Sequence, residues 1–237
     1  MKLVYTYALG AYAFGRGGSS PLARTTIIKS PNGLFFDDNA NFLLKYNYVK
    51  EHHIARLRII AGEFGGRWIS ADVSKGTHPM GDRVRSAVFS MLESRELLAG
   101  ARVLDAFAGT GALGLEALSR GADFATFLER DRIAANVIDV NITTLNMQDR
   151  TKLVRTGVGG WANTTKDVNF DIIFADPPYH DTQFSTVSKL LKYLHKDGIL
   201  ILSYPERGTL PNLKGVVVVD KRVYGEAAIA LFRLSED

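Results

Sequence analysis

The 237-residue chain contains no cysteine. Disulfides, thiolate zinc sites and a cysteine nucleophile are thereby excluded, and a reducing compartment is the natural setting. No apolar run approaches the roughly 18–20 residues of a membrane span, so no membrane partner is expected. The opening MKLVYTYALGAYAFG carries one lysine, an apolar stretch and Ala11-x-Ala13, but its Tyr, Thr and Gly make a poor export signal. The cytoplasm is the expected location. Histidine is sparse, and His52, His53, His78, His180 and His195 show no ligand spacing, so no metal is expected.

What is present is an ordinary supply of core material. Apolar residues make up 46% and aromatics 10%, enough for a substantial interior at this length. The net charge of +4 is mildly basic, which suits a polyanionic partner without demanding one.

Residues 1–53 lack sustained periodicity and hold GRGGSSP, SPNG and DDNAN, all turn chemistry. Such a segment is expected to be a poorly patterned extension. From Leu57 the texture changes. RLRIIAGEFGGRWIS reads as two short strands about a Gly65-Gly66 turn. DRVRSAVFSMLESREL reads as a helix with Asp82 as N-cap and Val84, Val88, Met91 and Leu92 on one face. Past Gly100 strands alternate with helices. The strands are ARVLDAF, DFATFLE, KLVRT, FDIIFA, GILILS, GVVVVD and AAIALFRL, and helices fit at 112–119, 132–145 and 182–194. Short apolar strands alternating with helices mean a parallel sheet covered on both faces. The last two strands meet at Tyr224-Gly225 and should close as an antiparallel hairpin. The expected organisation is an extension over 1–53, a hairpin and helix over 54–99 and an α/β domain over 100–237.

The first strand of that domain runs into LDAFAGTGALG, with Gly109-x-Gly111-x-x-Gly114. Gly109 and Gly111 allow a sharp strand-to-helix turn and close approach of a ligand to main-chain N–H groups, while Gly114 permits tight helix–sheet packing. Glu129 follows twenty positions after Gly109, at the end of the second strand, where a carboxylate can accept hydrogen bonds from a ribose diol. NAD and S-adenosylmethionine both carry that diol.

FDIIFADPPYH discriminates between them. Two of the seven prolines, Pro177 and Pro178, stand together soon after the apolar run IIFA that closes this strand. They fix two φ angles and make a stiff exit from the sheet, so that Asp176 and the Pro177 carbonyl can face the cleft as acceptors. Tyr179 offers a ring on which a base can stack. Two acceptors holding the hydrogens of an exocyclic amine leave its lone pair free to meet a sulfonium methyl in line, by positioning and electrostatics. The glycine loop is therefore expected to hold S-adenosylmethionine. A nicotinamide oxidoreductase needs only the loop and Glu129, and a non-catalytic RNA-binding module would not need the Asp176–Tyr179 corner.

Taken together, RIIAGEFGGR, DRVRSAVFSML, VLDAFAGTGALGLEALSRGA, FLER, FADPPY and YGEAAIALF resemble the RsmD family, bacterial methyltransferases of the N2 amine of a guanine in small-subunit ribosomal RNA. The corner alone would also admit N6-adenine or N4-cytosine enzymes. The resemblance implies a Rossmann-like, seven-stranded class I methyltransferase sheet with an N-terminal β-hairpin that helps engage RNA. It places Asp105, Phe107, Gly109 and Gly111 on the methionine side of the cofactor and Glu129 on the ribose. It has Asp176 and Pro177 grip the guanine amine, with Tyr179 stacking. Two positions depart from the family pattern: His78 in Thr77-His78-Pro79 replaces an arginine, and Thr156-Gly157-Val158-Gly159 lacks an acidic residue beside the adenine.

Residues 54–85 carry Arg56, Arg58, Arg67, Lys75, Arg83 and Arg85 against Glu63, Asp72 and Asp82. With Phe64 and Trp68 interleaved, this stretch reads as an RNA contact in which Arg67 and Arg83 meet phosphates. The expected partner is small-subunit ribosomal RNA, presented free or within an assembling subunit. The target base must leave its stack to reach a buried methyl donor. A monomer is the expected state.

Overall fold

The computed structural model describes residues 54–72 and 80–236, with the backbone of four short strands nearer the N-terminus. The chain divides into two compact units, Met1–His53 and Ile54–Asp237. In the first, β1 (Val4–Thr6), β2 (Thr26–Lys29), β3 (Phe35–Phe36) and β4 (Phe42–Leu43) pair antiparallel in chain order. A stretch expected to be poorly patterned thus carries paired strands, two of them built from the apolar LFF and NFLLKY pieces. GRGGSSP, SPNG and DDNAN lie outside the described residues.

The second unit begins with a hairpin, β5 (Ile54–Arg58) and β6 (Trp68–Asp72), in the register Arg58↔Trp68 to Ile54↔Asp72. The turn is longer than a Gly65-Gly66 pair: the N–H of Gly66 reaches the carbonyl of Ile59 at 2.8 Å, with Gly62 and Gly66 both at positive φ. Next comes α1 (Asp82–Glu93). Its N-cap is Gly81, not Asp82, and no side chain caps it. Asp82 has moved one place into the helix, where its carboxylate accepts from Arg85 at 2.9 Å.

Seven strands follow: β7 (Arg102–Asp105), β8 (Phe124–Leu128), β9 (Thr151–Val154), β10 (Phe170–Ala175), β11 (Leu194–Pro205), β12 (Val216–Tyr224) and β13 (Ala227–Leu234). They lie in the order β12-β13-β11-β10-β7-β8-β9. The pairs from β11 to β9 are parallel, and β13 and β12 are antiparallel additions, as expected for a closing hairpin. The connecting helices are α2 (Ala112–Ser119), α3 (Arg132–Thr144), α4 (Val158–Thr164) and α5 (Phe184–Ser188).

The inner strands β7, β8, β10 and β11 are mostly apolar and buried because both their faces are covered, whereas of the edge strands β9 is partly and β12 largely open to solvent. Val103, Ile172, Phe174, Ile199 and Ile201 enter one core with Phe89 of α1, Leu115 of α2 and Ile138 of α3. Leu104, Ile173, Ala175, Leu200 and Leu202 enter the other with Trp161 of α4. Each such Leu, Ile or Phe contributes about 1.5–3 kcal/mol by leaving water. Gly114 sets the spacing between α2 and β8: a Cβ there would lie 2.3 Å from a ring carbon of Phe127.

Two helices differ from expectation. The 182–194 segment forms only α5 and a 3-10 turn at Leu191–Tyr193, because Leu194 already pairs with Phe170 as β11 begins. Conversely, α4 forms across Gly159-Gly160, stabilised by burial of Val158, Trp161 and Ala162. Tertiary packing overrides local propensity in both places.

The hairpin is fastened to the sheet unit by buried polar groups. The carboxylate of Glu116, fully buried in α2, accepts the N–H groups of Ile60 and Ala61 at 2.7 and 3.0 Å. Asn141 in α3 exchanges two hydrogen bonds with the backbone of Ser70. The segment 54–99 therefore shares the core of the sheet unit.

Candidate active site

β7 and β10 are neighbours although β8 and β9 separate them in sequence, so the order reverses between them. Loops diverging from such a switch point leave a crevice at the carboxyl ends of the strands. Three carboxylates converge there. Asp105 closes β7, Glu129 follows β8, and Asp176 follows β10.

The glycine loop is stitched to both neighbouring strands. The N–H of Ala106 donates to Phe174 at 2.9 Å, and that of Ala108 to Leu128 at 3.1 Å. The N–H of Gly109 donates to the Glu129 carboxylate at 2.8 Å. Gly109 and Gly111 have φ of +52° and +75°, where L side chains are strained. Gly111 then caps α2, and the Gly114 N–H donates to the buried Asp105 carboxylate at 3.0 Å.

Glu129 is oriented from two sides, one oxygen taking Gly109 and the other the Asp131 N–H at 2.7 Å. A carboxylate has about four acceptor positions, so room remains for a ligand hydroxyl. Burial pushes its carboxyl above the usual range, against hydrogen bonds from the Asp131, Gly109 and Arg130 N–H groups. Asp105 is displaced further. Burial, aided by the nearby Asp176 and Glu129 charges, raises it to about 7. Asp176 is raised to about 6, again by burial, with the Ser203 hydroxyl opposing. Among the described residues no group of acidic or histidine side chains is placed to hold a metal ion.

At the corner itself Pro177 is buried and Tyr179 is 41% exposed. The Tyr179 hydroxyl is tied to Ser203 Oγ at 2.9 Å. Phe107 is partly buried at the root of the glycine loop.

The basic residues divide. α1 and α2 finish together, since Arg120 after α2 pairs with Glu93 at the end of α1 at 2.7 Å. Arg83 lies at the other end of α1, in its first turn, and is exposed. Arg67 is elsewhere. Its guanidinium donates to the Thr144 carbonyl at 3.0 Å and lies over the Phe64 ring. Thr144 ends α3, about 20 Å along that helix from the Asp131 cap beside Glu129, at 1.5 Å per residue. Lys75 and His78 lie outside the described residues.

Ser203 and Asn141 carry no signal in the sequence pattern, and the roles of Glu116 and Arg85 in holding the hairpin are visible only in the fold. Arg85 is 1% exposed, and its guanidinium bonds to Asp82 and the Arg58 carbonyl, so it braces the helix against the hairpin. Burial lowers its pKa.

With this geometry, the chain matches the family described as Conserved hypothetical protein 95 over residues 57–233. It is 31% identical to ribosomal RNA small subunit methyltransferase D of Escherichia coli, over 75% of this chain and 90% of that protein. It is 33% identical to the Haemophilus influenzae protein of the same name, over 71% of this chain and 93% of that one. The chain belongs to the RsmD family. The solved structure described as "Putative methyltransferase yhhF from Escherichia coli" superimposes with a TM-score of 0.69 at 29% identity, covering 77% of this chain and all of that one. The RsmD match begins within β5 and ends in β13, so it takes in the hairpin, α1 and the whole seven-stranded sheet. The first 53 residues lie outside it.

Proposed function

We propose that this RsmD-family protein transfers a methyl group from S-adenosylmethionine to the N2 amine of a guanine in small-subunit ribosomal RNA, in the cytoplasm. The convergence of Asp105, Glu129 and Asp176 on one crevice carries the reading. Crowded carboxylates in a buried setting favour a cation and repel an anion. S-adenosylmethionine brings a sulfonium and an ammonium, whereas the pyrophosphate of NAD would add negative charge to a negative site. The residues present therefore fit the methyl donor and disfavour the dinucleotide.

In this reading Glu129 takes the ribose diol. Asp105, Phe107, Gly109 and Gly111 line the methionine side, Asp105 balancing positive charge once ionised. Bound there, S-adenosylmethionine supplies an electrophilic methyl carbon. The chain's own part is to hold the acceptor. Asp176 and the Pro177 carbonyl take the two amine hydrogens, which concentrates the nitrogen lone pair on the side facing the crevice. Tyr179 stacks on the base once it is out of its helix. After transfer the nitrogen carries one proton too many, and Asp176, raised toward neutrality, is suited to receive it. Arg83, exposed in the first turn of α1, meets phosphate. Arg67 reaches phosphate only where the RNA extends along the far end of α3. The names of the relatives support ribosomal RNA as the partner, and the resemblance supports guanine N2.

The test is to incubate the purified protein with labelled S-adenosylmethionine and, separately, small-subunit ribosomal RNA, partly assembled subunits and DNA, then map the modified nucleotide. A single N2-methylguanine in the ribosomal RNA is expected, and it should vanish in Asp176→Ala while cofactor affinity stays within a few-fold. Methylation of adenine instead, or full activity in that variant, refutes the assignment.

A further inference from the structure

We infer that Ser203 is a positioning residue for methyl transfer, locking the Asp176 carboxylate and the Tyr179 ring into one acceptor corner. The inference rests on the proposed reading of that corner and adds a residue that neither the glycine-loop nor the Asp-Pro-Pro-Tyr pattern contains.

The observation is a three-membered chain. Ser203 is 2% exposed, on β11. β10 and β11 run parallel with Ala175 opposite Leu202, so the next residues along, Asp176 and Ser203, are neighbours across the strands. Placed there, the Ser203 hydroxyl faces the Asp176 carboxyl and favours its ionised form. On its other side Ser203 Oγ meets the Tyr179 hydroxyl at 2.9 Å. A serine hydroxyl has one proton to give. An ionised carboxylate can only accept, so that proton goes to Asp176 and the phenol must donate to Ser203. Burial raises the Tyr179 phenol and keeps it protonated, as the donor role requires.

Two consequences follow for the corner. The serine occupies part of the Asp176 carboxylate's acceptor capacity from the β11 side, which leaves the rest directed toward the amine. It also tethers the outer end of a ring that is otherwise 41% exposed, so the stacking surface is fixed before a base arrives. A buried hydroxyl on an apolar strand is costly unless paired. Here both its partners are the residues that face the substrate. The groups facing Asp176 are Asp105 from β7, Ser203 from β11 and Tyr179 from its own loop. Of these, Ser203 alone opposes the upward drift of the Asp176 carboxyl.

The test compares wild type, Ser203→Ala, Ser203→Thr and Tyr179→Phe. In the protein without cofactor, carbon-detected NMR titration of the Asp176 carboxyl is expected to show a midpoint near 6 that moves upward in Ser203→Ala and is restored in Ser203→Thr. In the methylation assay Ser203→Ala should lose about tenfold or more in kcat, with the acid limb of its pH profile displaced upward and S-adenosylmethionine affinity unchanged; a lost hydrogen bond to a charged group is about 1.5–3 kcal/mol. Tyr179→Phe should cost little more when added to Ser203→Ala, since the two act through one contact. An unmoved midpoint, an undiminished kcat or fully multiplicative losses overturn the inference. Should Ser203→Ala fail to fold, the exposed Tyr179→Phe still decides it, because an unchanged kcat there leaves the tether without effect. A wild type inactive on every RNA would instead sink the functional reading, while the titration would still judge the contact.

Discussion

Asp105→Asn tests whether the crevice is held in electrostatic tension before its ligand arrives. The Asp105 carboxyl is raised from 3.8 to about 7, on the order of 4 kcal/mol at about 1.4 kcal/mol per pH unit. The folded state therefore favours the neutral acid more than the unfolded chain does. Stability from this group is fully present below pH 3.8 and declines as pH rises, levelling off above about 7. Asparagine keeps an oxygen for the Gly114 N–H and cannot ionise. Its amide hydrogens need partners in a buried site, a penalty of about 1–3 kcal/mol that does not vary with pH. The free-energy gap between variant and wild type should hence shift in the variant's favour by about 2–3 kcal/mol between pH 5 and pH 8. For a unit of this size that is a relative change in Tm of about 5–10 °C. Urea unfolding at both pH values, without cofactor, measures it. Parallel stability–pH curves for the two proteins would show that Asp105 is not strained by ionisation, and the argument for a cationic ligand would lose its main support. The same variant should bind S-adenosylmethionine more weakly at pH 8.

Glu129→Ala should weaken S-adenosylmethionine binding by about 1–3 kcal/mol through lost hydrogen bonds to the ribose, as read by calorimetry, while the Asp176 corner is untouched. Gly114→Ala should destabilise the fold by at least about 1–3 kcal/mol, measured by thermal unfolding, because its methyl would sit 2.3 Å from the Phe127 ring. Arg83→Ala should weaken RNA binding and lower the slope of log affinity against log salt by about one. Adding Arg67→Ala should change that slope little unless the RNA runs along α3, so filter binding of short and long RNAs separates the two arginines.

The parts legible in the sequence are those whose chemistry is contiguous. Gly109, Gly111 and Gly114 each answer a local demand, of backbone angle or of close packing, and Glu129 and Asp176 stand directly at the ends of apolar strands. A parallel sheet followed from the alternation of strand and helix, but the side-by-side exit of β7 and β10 came only with the resemblance to a class I methyltransferase sheet. Ser203 was not legible, because one serine in GILILSY has no meaning until the register sets it beside Asp176. Arg85 counted only among the basic residues of 54–85, and Glu116 sat in LEALSRGA with nothing to mark it; the burial of both depends on a hairpin that arrives from elsewhere in the chain. Arg67 was read as a free cation because Thr144, which accepts from it, is 77 residues away. The long helix expected after Asp181 fails for the same reason, since pairing of Leu194 with Phe170 takes its C-terminal end for β11.

The N–H groups of Ala106 and Ala108 continue the hydrogen-bond ladder past the formal end of β7, toward Phe174 on one side and Leu128 on the other. The turn that faces the ligand is thus an outgrowth of an interior strand rather than an independent flap. Its amide protons should exchange with solvent on the timescale of global unfolding even when no ligand is bound. The order that the reaction needs is laid down when the protein first folds, and every later round of turnover inherits it.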